Sequence, residues 1–377
     1  MTARQADVNN MQGDGLRIMV AGGGTGGHLY PGIAVARELL TRRPDAQVTF
    51  VGTARGIESR VVPREGFALD LIRSRGLKGK SWSDRLAGAA TLPASLVDAW
   101  RIISGRRPQL VIGVGGYSSG PVVLVAALRG IPTMLIEQNA VPGLTNRLLA
   151  RVVRAAAVAF EATLPFFGPK GFVSGNPVRR EFVSSDLADR TNVENATSVR
   201  VLVFGGSQGA HAINVAMTEA APHLALGHPP VKVTHQTGER DVELVRSAYR
   251  NAGLDAEVEP FLYDMGRRMS AADLVVSRAG ATTIAEIAAA GRPAILIPLP
   301  AATDDHQRRN AEVLAKSGAA DLLLQGSATG LELSRRIQAL ATDAALRERM
   351  SAAARSHARP DAARAIVDRA LALLDAG

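Results

Sequence analysis

Short apolar runs alternate along this chain with longer stretches in which apolar residues recur every three or four positions. The first run, 16–21, ends in Gly22-Gly23-Gly24-Thr25-Gly26-Gly27-His28 and passes into Ile33, Val35, Ala36, Leu39 and Leu40. That order predicts a strand, a glycine turn and an amphipathic helix. Further runs at 47–51, 69–72, 110–113, 133–136 and 155–159 predict strands separated by helices, hence a parallel sheet covered on both faces. After Pro177 the segment 184–198 is polar and without period, which reads as a linker. The pattern then restarts: a strand at 198–204, the turn Gly205-Gly206-Ser207-Gln208-Gly209, and a helix through Ile213, Val215 and Met217. Strands follow at 232–236, 256–260, 274–277 and 294–298. From Leu331 the chain reads as helical, and its last helix carries an apolar stripe of Ala365, Ile366, Ala370, Leu371, Leu373 and Leu374. Periodicity does not say which domain that helix covers.

The reading is therefore an α/β chain of two Rossmann-like, doubly wound domains. A disordered tail (1–15) precedes a first domain (16–180), a linker (181–198), a second domain (199–358) and a closing helix (361–375). A length of 377 residues also favours two cores over one. Open parallel sheets bind ligands at the carboxyl ends of their strands, so two such sheets facing each other would form one cleft.

Composition narrows the chemistry. There is no cysteine, which excludes disulfides, thiolate metal sites and cysteine nucleophiles. A net charge of +9 suits polyanionic partners such as diphosphates, nucleic acid or an anionic membrane surface. No basic aromatic strand motif or recognition helix supports nucleic acid. The polar residues 1–15 lack the apolar core of a signal peptide, and no apolar run reaches spanning length. The expected location is cytoplasmic, with peripheral membrane contact.

Gly22, Gly24 and Gly27 satisfy the dinucleotide fingerprint, but that reading needs a carboxylate closing the second strand, and 47–53 supplies none. A phosphate-binding loop of another kind fits better, because glycines allow close approach and helix starts attract anions. The second turn, around Ser207 and Gln208, reads the same way. In 277–286, Ala281, Thr282 and Thr283 open a helix after a strand, and Glu286 sits one turn in. There it could grip vicinal hydroxyls, as on a ribose, or act as a helix-capping glutamate. Gly113 to Pro121, with Gly115, Gly116 and Tyr117, forms another strand-end loop, and Glu137-Gln138-Asn139 a further one. Arg179, in Gly175-Asn176-Pro177-Val178-Arg179, places a permanent cation at the entry to the linker. Asp304, Asp305 and His306 are adjacent in a loop and make a poor metal set, whereas Gln307 suits sugar hydroxyls. His28, directly after the first glycine loop, could act as a base or donate to a phosphate; the other histidines, His306 apart, have no motif context. Between Arg73 and Trp100 the stripe Leu86, Leu96, Trp100 is expected to pack in the core. Leu77, Lys78, Lys80, Trp82 and Arg85 fall outside it and form an apolar tip ringed by cations, as at an anionic bilayer.

Taken together, Gly23 to His28, Gly115-Gly116-Tyr117, Glu137-Gln138-Asn139, 175–179, 205–209 and 277–286 resemble the MurG family of peptidoglycan N-acetylglucosaminyltransferases, in order and spacing. The resemblance implies a GT-B glycosyltransferase fold, with no cofactor and no metal. It implies an acceptor domain for lipid-linked MurNAc-pentapeptide (Gly23, Gly24, Gly115, Gly116 and Tyr117) and a second domain for UDP-GlcNAc. It assigns the donor to Thr25, Gly26, Gly27, Asn139, Arg179, Ser207, Leu262, Ala281, Thr282, Thr283, Ile284, Ala285, Glu286 and Gln307, with Leu262 reading uracil through its backbone. It also implies that the last helix returns to the first domain. The chain departs from the family at Ile136, where many members have histidine. A glycolipid glycosyltransferase or a UDP-GlcNAc 2-epimerase is the alternative within the fold; a nicotinamide-dependent oxidoreductase is disfavoured by the second strand.

Overall fold

The apolar runs pair into two wholly parallel sheets in a computed structural model that describes residues 15–74, 82–182, 198–206 and 208–375. The first sheet contains β1 (Arg17–Gly22), β2 (Gln47–Gly52), β3 (Ala68–Leu71), β4 (Leu110–Gly115), β5 (Thr133–Glu137), β6 (Ala155–Val158) and β7 (Gly171–Val173), in the order 3-2-1-4-5-6-7. The second contains β8 (Val199–Phe204), β9 (Val231–Gln236), β10 (Ala256–Glu259), β11 (Leu274–Ser277), β12 (Ala294–Leu296) and β13 (Ala320–Leu322), in the order 10-9-8-11-12-13. Both orders reverse beside their first strand, between β1 and β4 and between β8 and β11. That reversal leaves a crevice at the strand ends where ligands of such sheets bind.

Burial on both sheet faces explains the unbroken apolar runs. In β1, Ile18 and Val20 face one core with Leu29, Ile33 and Phe50, while Met19 and Ala21 face the other with Ile103, Val122 and Leu149. β7 and β13 escape the sequence pattern because neither is an unbroken apolar run: Gly171 opens the first and Asp321 divides the second, whereas the equally short β12 lies within the apolar run 294–297. The last helix, Ala362–Asp375, lies on the first domain, where Ile366, Val367 and Ala370 are fully buried beside Leu29 and Leu39 of the helix Gly26–Arg42. An Arg42–Asp368 ion pair joins the two helices.

The helix Trp82–Arg106 corrects one expectation. Among its described side chains the buried ones are Ser95, Ala99 and Ile103, and Trp100 is 55% exposed with the Arg129 guanidinium 4.8 Å above its ring. Leu96 packs against the core as expected, whereas Trp100, one turn on, does not. The fully buried positions next to Leu96 include the small Ser95 and Ala99, on the face that packs with Ser119–Leu128. Leu77, Lys78, Lys80 and Ser207 lie outside the described residues, as do the side chains of Leu86, Trp82 and Arg85.

Candidate active site

The first glycine loop is held from below. Gly22, Gly23 and Gly24 all take positive φ, and the loop's amides are largely committed: Gly23 N–H donates to Gly115 O (3.2 Å) and Gly24 N–H to Glu58 Oε2 (2.8 Å). The other Glu58 oxygen accepts the Thr53 N–H (2.8 Å) and hydroxyl (3.0 Å), and the residue is 1% exposed. A carboxylate therefore does reach this loop from beyond β2, but as an internal brace with its oxygens consumed, not as a ribose ligand. Sequence reading missed it because it lies past the strand, in a short helix. The loop's remaining donors are at Gly26 and Gly27, where the helix Gly26–Arg42 begins with no side-chain cap. Such a helix start favours an anion.

His28 sits one step further, packed over the loop that ends β4. A Cβ on Gly115 (φ +92°) would lie 2.9 Å from His28 Nδ1, and one on Gly116 (φ +83°) 2.5 Å from Gly23 O. These two glycines let two loops cross at backbone contact; they shape the site more than they offer donors. His28 Nδ1 is 3.2 Å from Gln138 Oε1, while Gln138 Nε2 donates to Val114 O at 3.0 Å. The carbonyl of Val114 only accepts, so the Gln138 amide has one orientation, with its oxygen toward His28. Nδ1 must then carry the proton, leaving the lone pair on Nε2.

The neighbouring Glu137 is equally committed. It is 1% exposed; Oε1 accepts from Asn139 N–H (3.0 Å), and Oε2 from Gly143 N–H (3.0 Å) and Asn146 Nδ2 (2.8 Å). It shapes the 137–143 loop and has no oxygen to spare as a base. Asn139 meets the second domain: Asn310 Nδ2 donates to its Oδ1 at 3.2 Å, and Asn310 Oδ1 accepts the Ala140 N–H at 2.8 Å. Asn310, fully buried on the helix His306–Lys316, is a domain-bridging residue that no sequence motif had marked. Just before that helix Asp304 (φ +56°) and Asp305 (φ +54°) are both left-handed, a conformation that non-glycine residues adopt only under constraint. This kink presents Gln307, whose Oε1 accepts the Leu299 N–H at 3.0 Å.

On the second domain, the helix Ala281–Ala290 also begins without a side-chain cap. Thr282 Oγ1 is 3.4 Å from Gly27 O, so this helix start and that of Gly26–Arg42 face each other across the domain boundary. Glu286, one turn in, is buried and receives Arg179 Nη2 (3.0 Å) and Nε (3.2 Å). Burial pushes its carboxyl up to about 7, against the pull of Arg179 and with a small upward contribution from Glu181. Arg179 is 42% exposed and stacks 4.7 Å from the Phe182 ring and 5.7 Å from Tyr30. Glu286 is thus not a helix cap: the second domain's carboxylate is gripped by an arginine arriving from the first. Gln236 braces the rest of this wall. Its Nε2 donates to Gly206 O (2.9 Å), and its Oε1 accepts the Leu262 N–H (2.9 Å), which leaves the Leu262 carbonyl for any base.

The chain matches the Glycosyltransferase family 28 N-terminal domain over residues 18–158 and the Glycosyltransferase family 28 C-terminal domain over residues 200–366. It is 48% identical to the UDP-N-acetylglucosamine–N-acetylmuramyl-(pentapeptide) pyrophosphoryl-undecaprenol N-acetylglucosamine transferase of Anaeromyxobacter sp. (strain K), covering 94% of this chain and 92% of that protein. The chain belongs to the MurG family. The crystal structure of MurG from Acinetobacter baumannii superposes with a TM-score of 0.79 at 33% identity, over 94% of this chain and 99% of that one. A UDP-GlcNAc 2-epimerase from Neisseria meningitidis superposes with a TM-score of 0.65 at 14% identity, over 94% of this chain and 99% of that one, a likeness of fold alone.

Within this MurG-family chain, the residues singled out from sequence fall into three groups. Thr25, Gly26, Gly27, His28, Asn139, Arg179, Thr282 and Glu286 gather at the domain boundary. Ala281 and Ile284 are buried, and Ile284 packs in the second core. Tyr117 stands half exposed at the rim, its carbonyl accepting the Ser74 hydroxyl at 3.0 Å. His211 and His235, which lack motif context in the sequence, join one network under the second glycine turn: His211 Nδ1–Asp241 (2.9 Å), Asp241–Asn214 (2.8 Å), Asn214–His235 Nε2 (3.1 Å) and His235 Nδ1–Tyr249 (2.7 Å). Burial lowers His235 to about 3, so it stays neutral as a structural link.

Proposed function

We propose that this chain transfers N-acetylglucosamine from UDP-GlcNAc to the C4 hydroxyl of MurNAc in undecaprenyl-diphospho-MurNAc-pentapeptide, inverting the anomeric carbon and releasing UDP. The observation that carries this is the meeting of two uncapped helix starts, at Gly26–Gly27 and Ala281–Thr283, in a chain nearly half identical to enzymes named for that transfer. One cradle takes the diphosphate of the nucleotide and the other that of the lipid.

His28 Nε2 is the base that removes the C4 proton. Its lone pair is held there by the Gln138 oxygen on the opposite nitrogen, which also stabilises the imidazolium that forms. Arg179 leaves Glu286 for the diphosphate as UDP-GlcNAc enters, and Glu286 then accepts the ribose hydroxyls. The exchange gives the leaving group a cation and a helix start, the electrostatic work of this transfer. Asn139 and Gln307 contact the sugar, the Leu262 carbonyl accepts from uracil N3–H, and Gly24, Gly115, Gly116 and Tyr117 border the acceptor.

The enzyme works peripherally on the cytoplasmic face of the membrane. Trp100 and Leu128, 55% and 76% exposed beside Arg129, offer an apolar surface with a cation at its edge, suited to an anionic bilayer. Among the described residues no helix is long and apolar enough to cross a membrane. Incubation with labelled UDP-GlcNAc and a lipid I analogue should yield the disaccharide-linked product. Conversion of UDP-GlcNAc without acceptor would point to an epimerase and refute the proposal.

A further inference from the structure

Three glycines close on the side chain of Glu58, the first residue of the short helix Glu58–Arg64. A Cβ on Gly52, at the end of β2, would overlap its Cγ, and one on Gly56 would overlap both of its oxygens. One on Gly23 would stand 2.5 Å from Oε2. Gly23 takes a φ of +148°, which itself favours glycine, but Gly52 and Gly56 have no left-handed φ to demand one. What those two positions lack room for is a side chain, and the group that occupies the room is one carboxylate.

That carboxylate faces donors on both sides. Oε1 accepts the Thr53 N–H and hydroxyl, and Oε2 accepts the Gly24 N–H. Gly24 leads directly into Thr25, which is extended (φ −135°, ψ 158°) and whose carbonyl accepts the N–H groups of His28 (3.2 Å) and Leu29 (3.1 Å). The first turn of the helix Gly26–Arg42, with its open amides and the His28 imidazole, therefore hangs from the residue next to the one that Glu58 holds. An amide in place of the carboxylate would turn its NH₂ against one of the two backbone N–H groups and leave a buried donor without an acceptor.

We propose that Glu58 is a positioning residue of the transfer. By holding Gly24 and Thr53 on one carboxylate it fixes where the helix Gly26–Arg42 starts, and so where His28 Nε2 and the amides of Gly26 and Gly27 stand. At 1% exposure it touches neither substrate. It acts on the wall of the first domain alone, since the cradle at Ala281–Thr283 belongs to the second. The proposal rests on the reading of this chain as an N-acetylglucosaminyltransferase.

Glu58→Gln keeps the volume and removes one acceptor. In the full-length chain, with saturating UDP-GlcNAc and a lipid I analogue, kcat should fall roughly ten- to a hundredfold, as misplacement on the order of 1 Å does. UDP should bind with the parent's Kd by calorimetry, and the His28 resonances should shift in NMR of isotope-labelled histidine. Gly56→Ala keeps the carboxylate but pushes it off its donors; it should reproduce both effects, and it carries the test if Glu58→Gln does not fold. A folded variant with the parent's kcat and unmoved His28 resonances, or one that loses UDP affinity in step with kcat, would overturn the proposal. A parent chain that leaves the lipid I analogue unconverted refutes the transferase reading instead, and the His28 resonances then decide the role of Glu58 by themselves.

Discussion

His28 Nδ1 lies 3.2 Å from the side-chain oxygen of Gln138, and that oxygen cannot turn away because its partner nitrogen is tied to the Val114 carbonyl. Removing it frees the imidazole to rotate and to place its proton on either nitrogen. Gln138→Leu should lower kcat roughly ten- to a hundredfold, within the range of about 10²–10⁴ that a positioned base supplies, with the KM for UDP-GlcNAc little changed. His28→Ala should cost at least as much. Steady-state kinetics of both variants with saturating substrates decides it; an unchanged kcat in His28→Ala removes the histidine from the mechanism.

Gly115→Ala tests the same geometry from below. The new methyl would sit 2.9 Å from His28 Nδ1, at a φ of +92° that alanine rarely adopts. The ring must move, and kcat should drop at least tenfold while the donor still binds. A nucleotide titration beside the turnover assay separates the two.

Glu286 links stability to pH. In the folded chain burial raises its carboxyl from 4.5 to about 7. Between those values the folded state holds a proton that the unfolded state has released, so stability falls as pH rises through this window. Above about 7 the folded chain bears the full penalty of the buried charge, at most about 3 kcal/mol by the usual conversion. Glu286→Gln cannot ionise. Its Tm should exceed that of the parent at pH 8 and converge with it toward pH 5, while its affinity for UDP-GlcNAc falls. A Tm difference independent of pH would show that Glu286 does not titrate in this way.

Truncation after Arg359 removes the helix Ala362–Asp375 and uncovers Leu29, Leu39 and their neighbours in the first core. Ile366, Val367 and Ala370 are fully buried there, and each large aliphatic contributes roughly 1.5–3 kcal/mol. The truncated chain should lose its first thermal transition or aggregate, even though the deleted segment follows the second domain in sequence. Scanning calorimetry of the two chains compares them directly.

Much of the architecture was legible beforehand because parallel strands buried on both faces leave unbroken apolar runs, and glycine turns mark their ends. The strands β7 and β13 were not, since Gly171 and Asp321 interrupt their apolar character, while β12, no longer than they are, sits in an unbroken apolar run. Trp100 misled for a related reason: helical spacing identifies a stripe but not how far round the helix the buried face reaches, and here it takes in Ser95, Leu96 and Ala99 but not Trp100.

By itself the sequence determined the repeated strand–turn–helix units, the glycines that the turns demand, and the family to which the ordered motifs belong. Tertiary structure alone decided which amides remain available. Glu58 consumes a loop donor, Glu137 is saturated, and Arg179 grips Glu286. A hydrogen bond depends on direction and distance between residues far apart in the chain, and neither is written in the order of the residues.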